Sequence, residues 1–272
     1  MSEQPKGPVY NNKRFKPNDY NFDMFIGPRA GERFVDHTFT ELETGNEVRL
    51  SDFEGRWVVL ETGSSTCSMY TKNIPTMKDI TGEYPDVTFL LIYVREAHPG
   101  ERLGPHETMD EKMAAAKLVT PRYGEHRRVL VDNLAGDFHR GYGAMPNVLY
   151  VIRPDGTIHY RCNWATPEKV REVLNDRETY HTHENADLFE LRASRAKMHM
   201  IRTMWTGGIV ALYDFVKGAP FVVSKHVKTD AYYKKHGKFK NQPDDVSEAP
   251  MPGAPAAAKT AAAQEASPQP GE

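Results

Sequence analysis

The sequence is poor in cysteine: of its 272 residues only Cys67 and Cys162 carry a thiol, and neither belongs to a C-x-x-C pair. Two cysteines cannot build a disulfide framework, and a reducing cytoplasm is the expected location. With 39% apolar residues the chain has enough for a hydrophobic core instead. Long apolar runs are missing too. The most hydrophobic late stretch, Gly207 to Val216, is far too short to span a bilayer and contains Asp214. The opening M-S-E-Q-P-K-G-P lacks the apolar centre of a signal peptide. Neither sign of charge dominates: the formal net charge is −2, which argues against a nucleic-acid partner. No glycine-rich phosphate cradle follows a strand, so no bound cofactor is expected. The run His181-Thr182-His183-Glu184 lacks a second ligand pair, and no metal is expected there.

The chain is instead organised around Trp57 to Tyr84. The short apolar run Trp57 to Leu60 reads as a buried strand. After Cys67, the residues Tyr70, Ile74, Met77, Ile80 and Tyr84 recur at three- and four-residue steps, one apolar stripe of a helix kinked at Pro75. The loop Gly63 to Thr66 delivers Cys67 to the first turn of that helix. Unpaired backbone N–H groups and the positive end of the helix dipole there favour thiolate over thiol.

The rest can be taken in order. Residues 1–30 read as an irregular arm. Alternation on either side of Gly45-Asn46 makes Phe34 to Phe53 a β-hairpin. Asp86 to Val94 is nearly continuous apolar, as a parallel strand covered on both faces should be. A loop follows, then a helix from Glu107 to Leu118, a strand from Arg128 to Asp132 and a brief helix ending at Gly143. Asn147 to Arg153, the turn P-D-G and Thr157 to Arg161 form a second hairpin. Thr166-Pro167-Glu168 opens a last helix in this part. The order predicts an α/β fold whose parallel core is extended by antiparallel strands, with Cys67 at the carboxyl end of an early strand. Beyond residue 178 the apolar positions Leu188, Leu191, Met198, Ile201, Trp205, Ile209, Leu212 and Val216 predict a helical extension to about residue 240, bent at Gly207-Gly208. Its face with Arg192, Arg195, Lys197 and Arg202 suits solvent, anionic lipid or a partner; its apolar stripe suits packing on the domain or a homodimer. Residues 241–272, rich in Pro and Ala, predict a disordered tail.

The element order and the placing of Pro75 and Pro146 resemble the thioredoxin fold, in which a late proline, cis, borders the reactive sulfur. The lead-in L-S-D-F-E-G-R-W-V-V-L is similar to that of peroxiredoxins. More specifically, G-S-S-T-C-S-M-Y, L-L-I-Y-V-R-E-A-H-P and G-Y-G-A-M-P-N-V-L-Y-V-I resemble iodothyronine deiodinases over about Phe34 to Arg177. The resemblance puts Cys67 in the place of the family's catalytic selenocysteine. It puts Ser64, Tyr93, Glu96 and His98 on polar active-site positions, and His106 and Tyr142 on others. Pro146 stands where deiodinases tend to lack proline, Arg95 where they carry an acid, and Trp164 near where they carry an arginine. Their N-terminal membrane anchor has no counterpart, which implies a soluble relative.

A low-pKa thiolate attacks soft electrophiles: disulfide sulfur, peroxide oxygen or ring-bound iodine. The resulting expectation is a thiol-dependent oxidoreductase acting on a small iodinated aromatic substrate and regenerated by an external thiol such as thioredoxin or glutathione. His98 is the expected proton donor, Glu96 its partner, and Ser64 or Thr66 the thiolate's hydrogen-bond donor. Tyr93, His106, Tyr142 and Pro146 are the expected substrate-side residues. Cys162, at the end of the last hairpin strand, is the candidate resolving thiol. Two other readings stand beside this one. The first is a peroxiredoxin-like peroxide or disulfide reductase, with Ser64 and either Arg95 or Arg128 polarising the peroxide. The second is a non-catalytic binding module, for which an unreactive, high-pKa Cys67 would speak.

Overall fold

The computed structural model of the protein describes residues 10–178, the backbone of 183–184 and of 197–198, and residues 199–241. The expected run of His181 to Glu184 as side chains, the apolar positions Leu188, Leu191 and Met198, the basic residues Arg192, Arg195 and Lys197 and the expected tail lie outside the described side chains.

The centre is a mixed sheet that positions one loop. Its strands are β1 (Thr38–Glu41), β2 (Glu47–Arg49), β3 (Trp57–Gly63), β4 (Val87–Tyr93), β5 (Arg128–Val131), β6 (Leu149–Ile152), β7 (Ile158–Cys162) and β8 (His183–Glu184). They lie in the order β2-β1-β5-β4-β3-β6-β7-β8. β3, β4 and β5 run parallel, while β6 is antiparallel to β3 and β7 to β6. This β3–helix–β4 unit followed by the β6–β7 hairpin and a helix is the thioredoxin-like arrangement, lengthened at one edge by β5 and the β1–β2 hairpin.

All seven residues of β3 are buried because both faces are covered. Val58 and Leu60 face a cluster with Phe25, Phe138, Tyr142 and Tyr150, while Trp57 and Val59 face Met77, Ile80, Val170 and Leu174. Burying one such aliphatic side chain contributes about 1.5–3 kcal/mol. The second cluster is supplied by α2 (Ile74–Glu83) and α6 (Pro167–Asn175). The first draws on the N-terminal arm, which is irregular but packed: Phe15, Tyr20, Phe22 and Phe25 are all buried there.

Three local features differ from the sequence expectation. The helix after Cys67 does not run through with a kink. It divides into α1 (Ser68–Thr71) and α2, and Pro75 occupies the first turn of α2. Proline lacks the N–H to continue a helix and its ring clashes with the carbonyl four residues back, so the helix stops and restarts. The expected helix 107–118 is α3 (Met109–Ala116), capped by Thr108 accepting from the Glu111 N–H at 3.2 Å, followed by a further helix α4 (Val119–Tyr123) that ends at left-handed Gly124. No peptide bond among the described residues is cis, so the bond preceding Pro146 is trans. The brief helix α5 (Asp137–Gly141) and the bend at Gly207-Gly208 fall where expected: α7 (Lys197–Gly207) and α8 (Ile209–His236) meet at Gly208, whose φ is 108°. No described helix is long and apolar enough to cross a membrane.

Candidate functional site around Cys67

β3 ends at Gly63, where a Cβ would strike the Tyr70 ring, and the chain turns over that ring into Ser64-Ser65-Thr66. Cys67 is the N-cap residue of α1, as the strand–loop–helix pattern requires, and its N–H donates to the Ser64 carbonyl at 3.0 Å. The electrostatics differ from expectation. Cys67 is 2% exposed, and burial pushes its thiol up to about 12. The Tyr70 and Met69 N–H groups act in the opposite direction, as a helix N-terminus should, but the Glu61 and Glu96 carboxylates add to the rise. The helix N-terminus does favour the thiolate, but burial outweighs it.

The centre of the site is the carboxylate of Glu96. One oxygen accepts from the Thr66 N–H at 2.9 Å and the Thr66 hydroxyl at 2.6 Å; the other accepts from the Tyr93 hydroxyl and faces His106 Nε2 at 3.5 Å. The last is an electrostatic contact, too long for a well-formed hydrogen bond. Burial would raise the Glu96 acid, but His106, Thr66 and Tyr93 together leave it below the ordinary value. Thr66 Oγ1 also accepts the His98 N–H at 3.0 Å, Ser64 Oγ accepts the Ala97 N–H at 3.1 Å, and the Tyr93 hydroxyl accepts the Ser65 N–H at 3.2 Å. The cysteine loop and the E-A-H-P loop are thus stitched together side by side. Lys112, wholly buried with Nζ on the Asn133 carbonyl at 2.9 Å, lies within the field of Glu96 and is pushed down to about 8 by burial.

His98 is not held by Glu96. Its ring packs between Phe15 at 4.4 Å and Phe215 at 5.3 Å, and its Nδ1 has no hydrogen-bond partner among the described residues. Burial pushes the imidazole down to about 4, so at neutral pH it is uncharged. Of the two histidines, His106 is the one the fold brings to the carboxylate. The sequence favoured His98 because the loop after β4 should open on the same sheet edge as Cys67; in the fold its ring turns instead into the aromatic pair Phe15 and Phe215.

The C-terminal helices close the site, a role that sequence reading did not find. Thr71 bonds His199 at 2.8 Å and Thr203 at 3.1 Å on α7, and the Tyr123 hydroxyl joins Ser65 O at 2.8 Å to Thr206 at 2.7 Å. The Arg102 N–H donates to Gly207 O at 3.0 Å, and Glu101 accepts the first N–H groups of α8, from Ile209 at 2.6 Å and Val210 at 2.9 Å. A Cβ on Gly207 would come within 2.7 Å of the His98 carbonyl and 3.2 Å of Thr66.

Beneath the loop lies a buried ion network. Arg127 donates to Glu61 at 2.6 Å and to Glu125 at 2.7 and 2.9 Å, and all three side chains are wholly buried. Tyr70 donates to Glu125 at 2.6 Å and Asn147 to Glu61 at 2.7 Å. A glutamate inside the apolar run W-V-V-L-E-T was the visible signal, since a charge there must be paired.

The remaining expected residues divide. Pro146 is buried just before Asn147, whose amide also reaches Thr62 O at 3.1 Å, so it does flank the end of β3. Tyr142 does not reach the site: it stacks on Phe138 at 4.2 Å and donates to Val35 O at 2.6 Å, in the cluster on the other face of the sheet from Tyr93. Cys162 is fully buried with Leu149 and Val170, in a cluster separate from that of Cys67, and no disulfide joins the two. Both arginines considered for peroxide are engaged by other groups: Arg95 is sandwiched by Tyr10 and Tyr20 at 5.1 and 4.9 Å, and Arg128 pairs with Glu41 at 2.5 Å. Among the described residues, no group of three or more His, Cys, Asp and Glu is placed to hold a metal.

Comparison with known proteins covers this same region. Type II iodothyronine deiodinase of Fundulus heteroclitus is 31% identical over 122 residues, 39% of this chain and 46% of that protein. Thyroxine 5-deiodinase of Sparus aurata is 23% identical over 135 residues, 46% of this chain and 50% of that protein. The chain therefore spans about half the length of the curated relatives it matches. Among solved structures, an uncharacterized conserved protein from Geobacillus kaustophilus superposes with a TM-score of 0.46 at 18% identity, over 58% of this chain and 86% of that one. The iodothyronine deiodinase family model matches residues 21–178, from the packed arm through β3, the Glu96 cluster and α6; the chain belongs to the iodothyronine deiodinase family.

Proposed function

We propose that the protein is a thiol-dependent oxidoreductase that removes iodine reductively from an iodinated aromatic ring, with Cys67 as nucleophile. The observation that carries this reading is the Glu96 carboxylate, which ties Thr66, next to Cys67, to Tyr93 and His106. In the step proposed, the Cys67 thiolate takes the iodine as a sulfenyl iodide. The carbon–iodine bond breaks, its electron pair stays on the ring carbon, and a proton replaces the halogen. One external thiol then displaces iodide as a mixed disulfide, and a second releases Cys67 and leaves as the disulfide. Two thiols are oxidised for each ring reduced; glutathione or thioredoxin would serve. His106, adjoining Glu96, takes over the proton-donor role that the sequence suggested for His98. Membership in the family supports the substrate class, and the engagement of Arg95 and Arg128 elsewhere speaks against peroxide.

The test is thiol-dependent iodide release from an iodinated phenol. The wild type should turn over, Cys67→Ser should not, and His106→Gln should fall by on the order of 10²-fold or more while His98→Gln changes far less. Peroxide consumption without iodide release would replace this reading by the peroxidase one. A second reading, a binding module without turnover, is favoured by the buried, high-pKa Cys67. It would stand if neither substrate class were consumed and Cys67 resisted alkylation even in a variant with the α7–α8 junction loosened.

A further inference from the structure

Outside the family match, α8 presents an apolar stripe to solvent. Ile209, Tyr213, Val216 and Val227 are 62%, 59%, 63% and 56% exposed, and with exposed Pro220 and Ala231 they recur at helical steps along one side. Phe221, on the margin, is 42% exposed, and Ile201 and Trp205 on α7 are 45% and 43% exposed. A helix of 28 residues is about 40 Å long, so the stripe is long, and a soluble surface rarely leaves so many large apolar side chains uncovered in one line.

The charges on this helix are mostly of one sign, with the exposed Glu101 carboxylate at its first turn the acidic neighbour. Residues 209–241 contain seven lysines and two aspartates in a chain whose net charge is −2. Of the aspartates, Asp214 is buried and gripped by Arg14 through two contacts of 2.5 Å, and Asp230 is only partly exposed. Exposed Lys217, Lys228 and Lys235 each lie one position beyond a stripe residue or within its last turn, so they line one flank, and Lys234 ends the stripe. A second copy of this chain laid on the stripe would bring lysine against lysine. The complementary occupant is a flat apolar surface with negative charge at its rim.

We propose that the outer face of α8 lies on an anionic lipid surface, with the stripe sunk into the headgroup boundary and the lysines at phosphate level. The helix does not span, in keeping with its length and composition. Glu101 of the E-A-H-P loop caps its first turn, which ties this helix to the loop beside Cys67. The inference is independent of the reaction proposed above.

The experiment is co-sedimentation of the full chain with vesicles of phosphatidylcholine alone and of equal parts phosphatidylcholine and phosphatidylglycerol. The wild type should pellet with the mixed vesicles, far less with the neutral ones, and less as salt is raised. Each lysine near the surface contributes about fivefold to partitioning, so Lys228→Glu/Lys235→Glu should lose more than tenfold. Val216→Glu/Val227→Glu should lose a comparable factor with an unchanged melting temperature, both positions being exposed. Failure of the wild type to pellet, or a Val216→Glu/Val227→Glu variant that pellets like it, overturns the proposal. So does a concentration-dependent dimer on gel filtration, abolished by the valine changes, in a protein that ignores both vesicle types; the face would then be a self-interface.

Discussion

Glu96 holds Thr66 by both of that residue's donors, at 2.9 Å through the N–H and 2.6 Å through the hydroxyl, on a single carboxylate oxygen. The side chain two positions before His98 thereby fixes the residue next to Cys67. Glu96→Gln keeps the shape but turns one oxygen into a donor facing donors. The loss of buried, charge-assisted bonds should cost about 2 kcal/mol and lower the melting temperature by several degrees. The pH dependence follows from the direction of its shift. A carboxyl held below its ordinary value contributes stability that is fully present above the unfolded value and is lost as pH falls through the folded one. Wild type minus Glu96→Gln stability, measured by urea unfolding at descending pH, should therefore shrink in acid. A constant difference would remove the carboxylate from this role.

Cys67 predicts the opposite limb. In the unfolded chain a thiol ionises near 8.5, whereas burial holds this one to about 12. Its contribution is fully present below the unfolded value and is lost as pH rises from there, by roughly 1.4 kcal/mol per unit. Wild-type stability should fall between about pH 8.5 and 10, before tyrosines titrate, and Cys67→Ser should flatten that fall. Equal slopes in the two proteins would mean that the thiol is far more accessible than its burial indicates.

The buried Arg127 network predicts an asymmetry between two substitutions. Arg127→Met leaves Glu61 and Glu125 without their cation in a fully buried site and should cost about 3–5 kcal/mol. Tyr70→Phe removes one bond to Glu125, which keeps Arg127, and should cost about 1–2 kcal/mol. Chemical unfolding of both variants checks the ranking. If the tyrosine change cost as much as the arginine change, the network would be anchored through α1 rather than through the ion pairs.

How much of this was readable follows from where the information lies. The strand, the loop and the helix start around Cys67 are local, and short-range pattern found them. Glu96, His106 and Tyr93 entered through motif resemblance, which carries tertiary information that no periodicity holds. Tyr142 shows the limit of such transfer: its position was plausible, but Phe138 and Tyr150 draw its ring into the core on the other side of the sheet. His98 failed for a related reason, since the aromatics that bury it come from residues 15 and 215, far away in sequence. The raised Cys67 acid was unreadable because its cause is enclosure by elements that converge only on folding.

That enclosure yields the last prediction. α7 and α8 reach the site through Thr71, Ser65, Glu101 and Arg102, and Gly207 sits where a Cβ would come within 2.7 Å of both the His98 carbonyl and the Ala211 methyl. Backbone on one side and helix on the other leave no flexible side chain to give way. Gly207→Val should therefore push the junction off the E-A-H-P loop, at a cost of about 1–3 kcal/mol to the closed arrangement. Each 1.4 kcal/mol multiplies the open population about tenfold. If reagents reach Cys67 through that opening, its alkylation at neutral pH should accelerate by about ten- to a hundredfold. Cys162 lies in the cluster beneath α2 and α6 and should label no faster than in the wild type. Site-resolved mass spectrometry after timed iodoacetamide exposure separates the two thiols. Acceleration at both would mean general loosening of the fold, and acceleration at neither would place the path to Cys67 elsewhere than under α7 and α8.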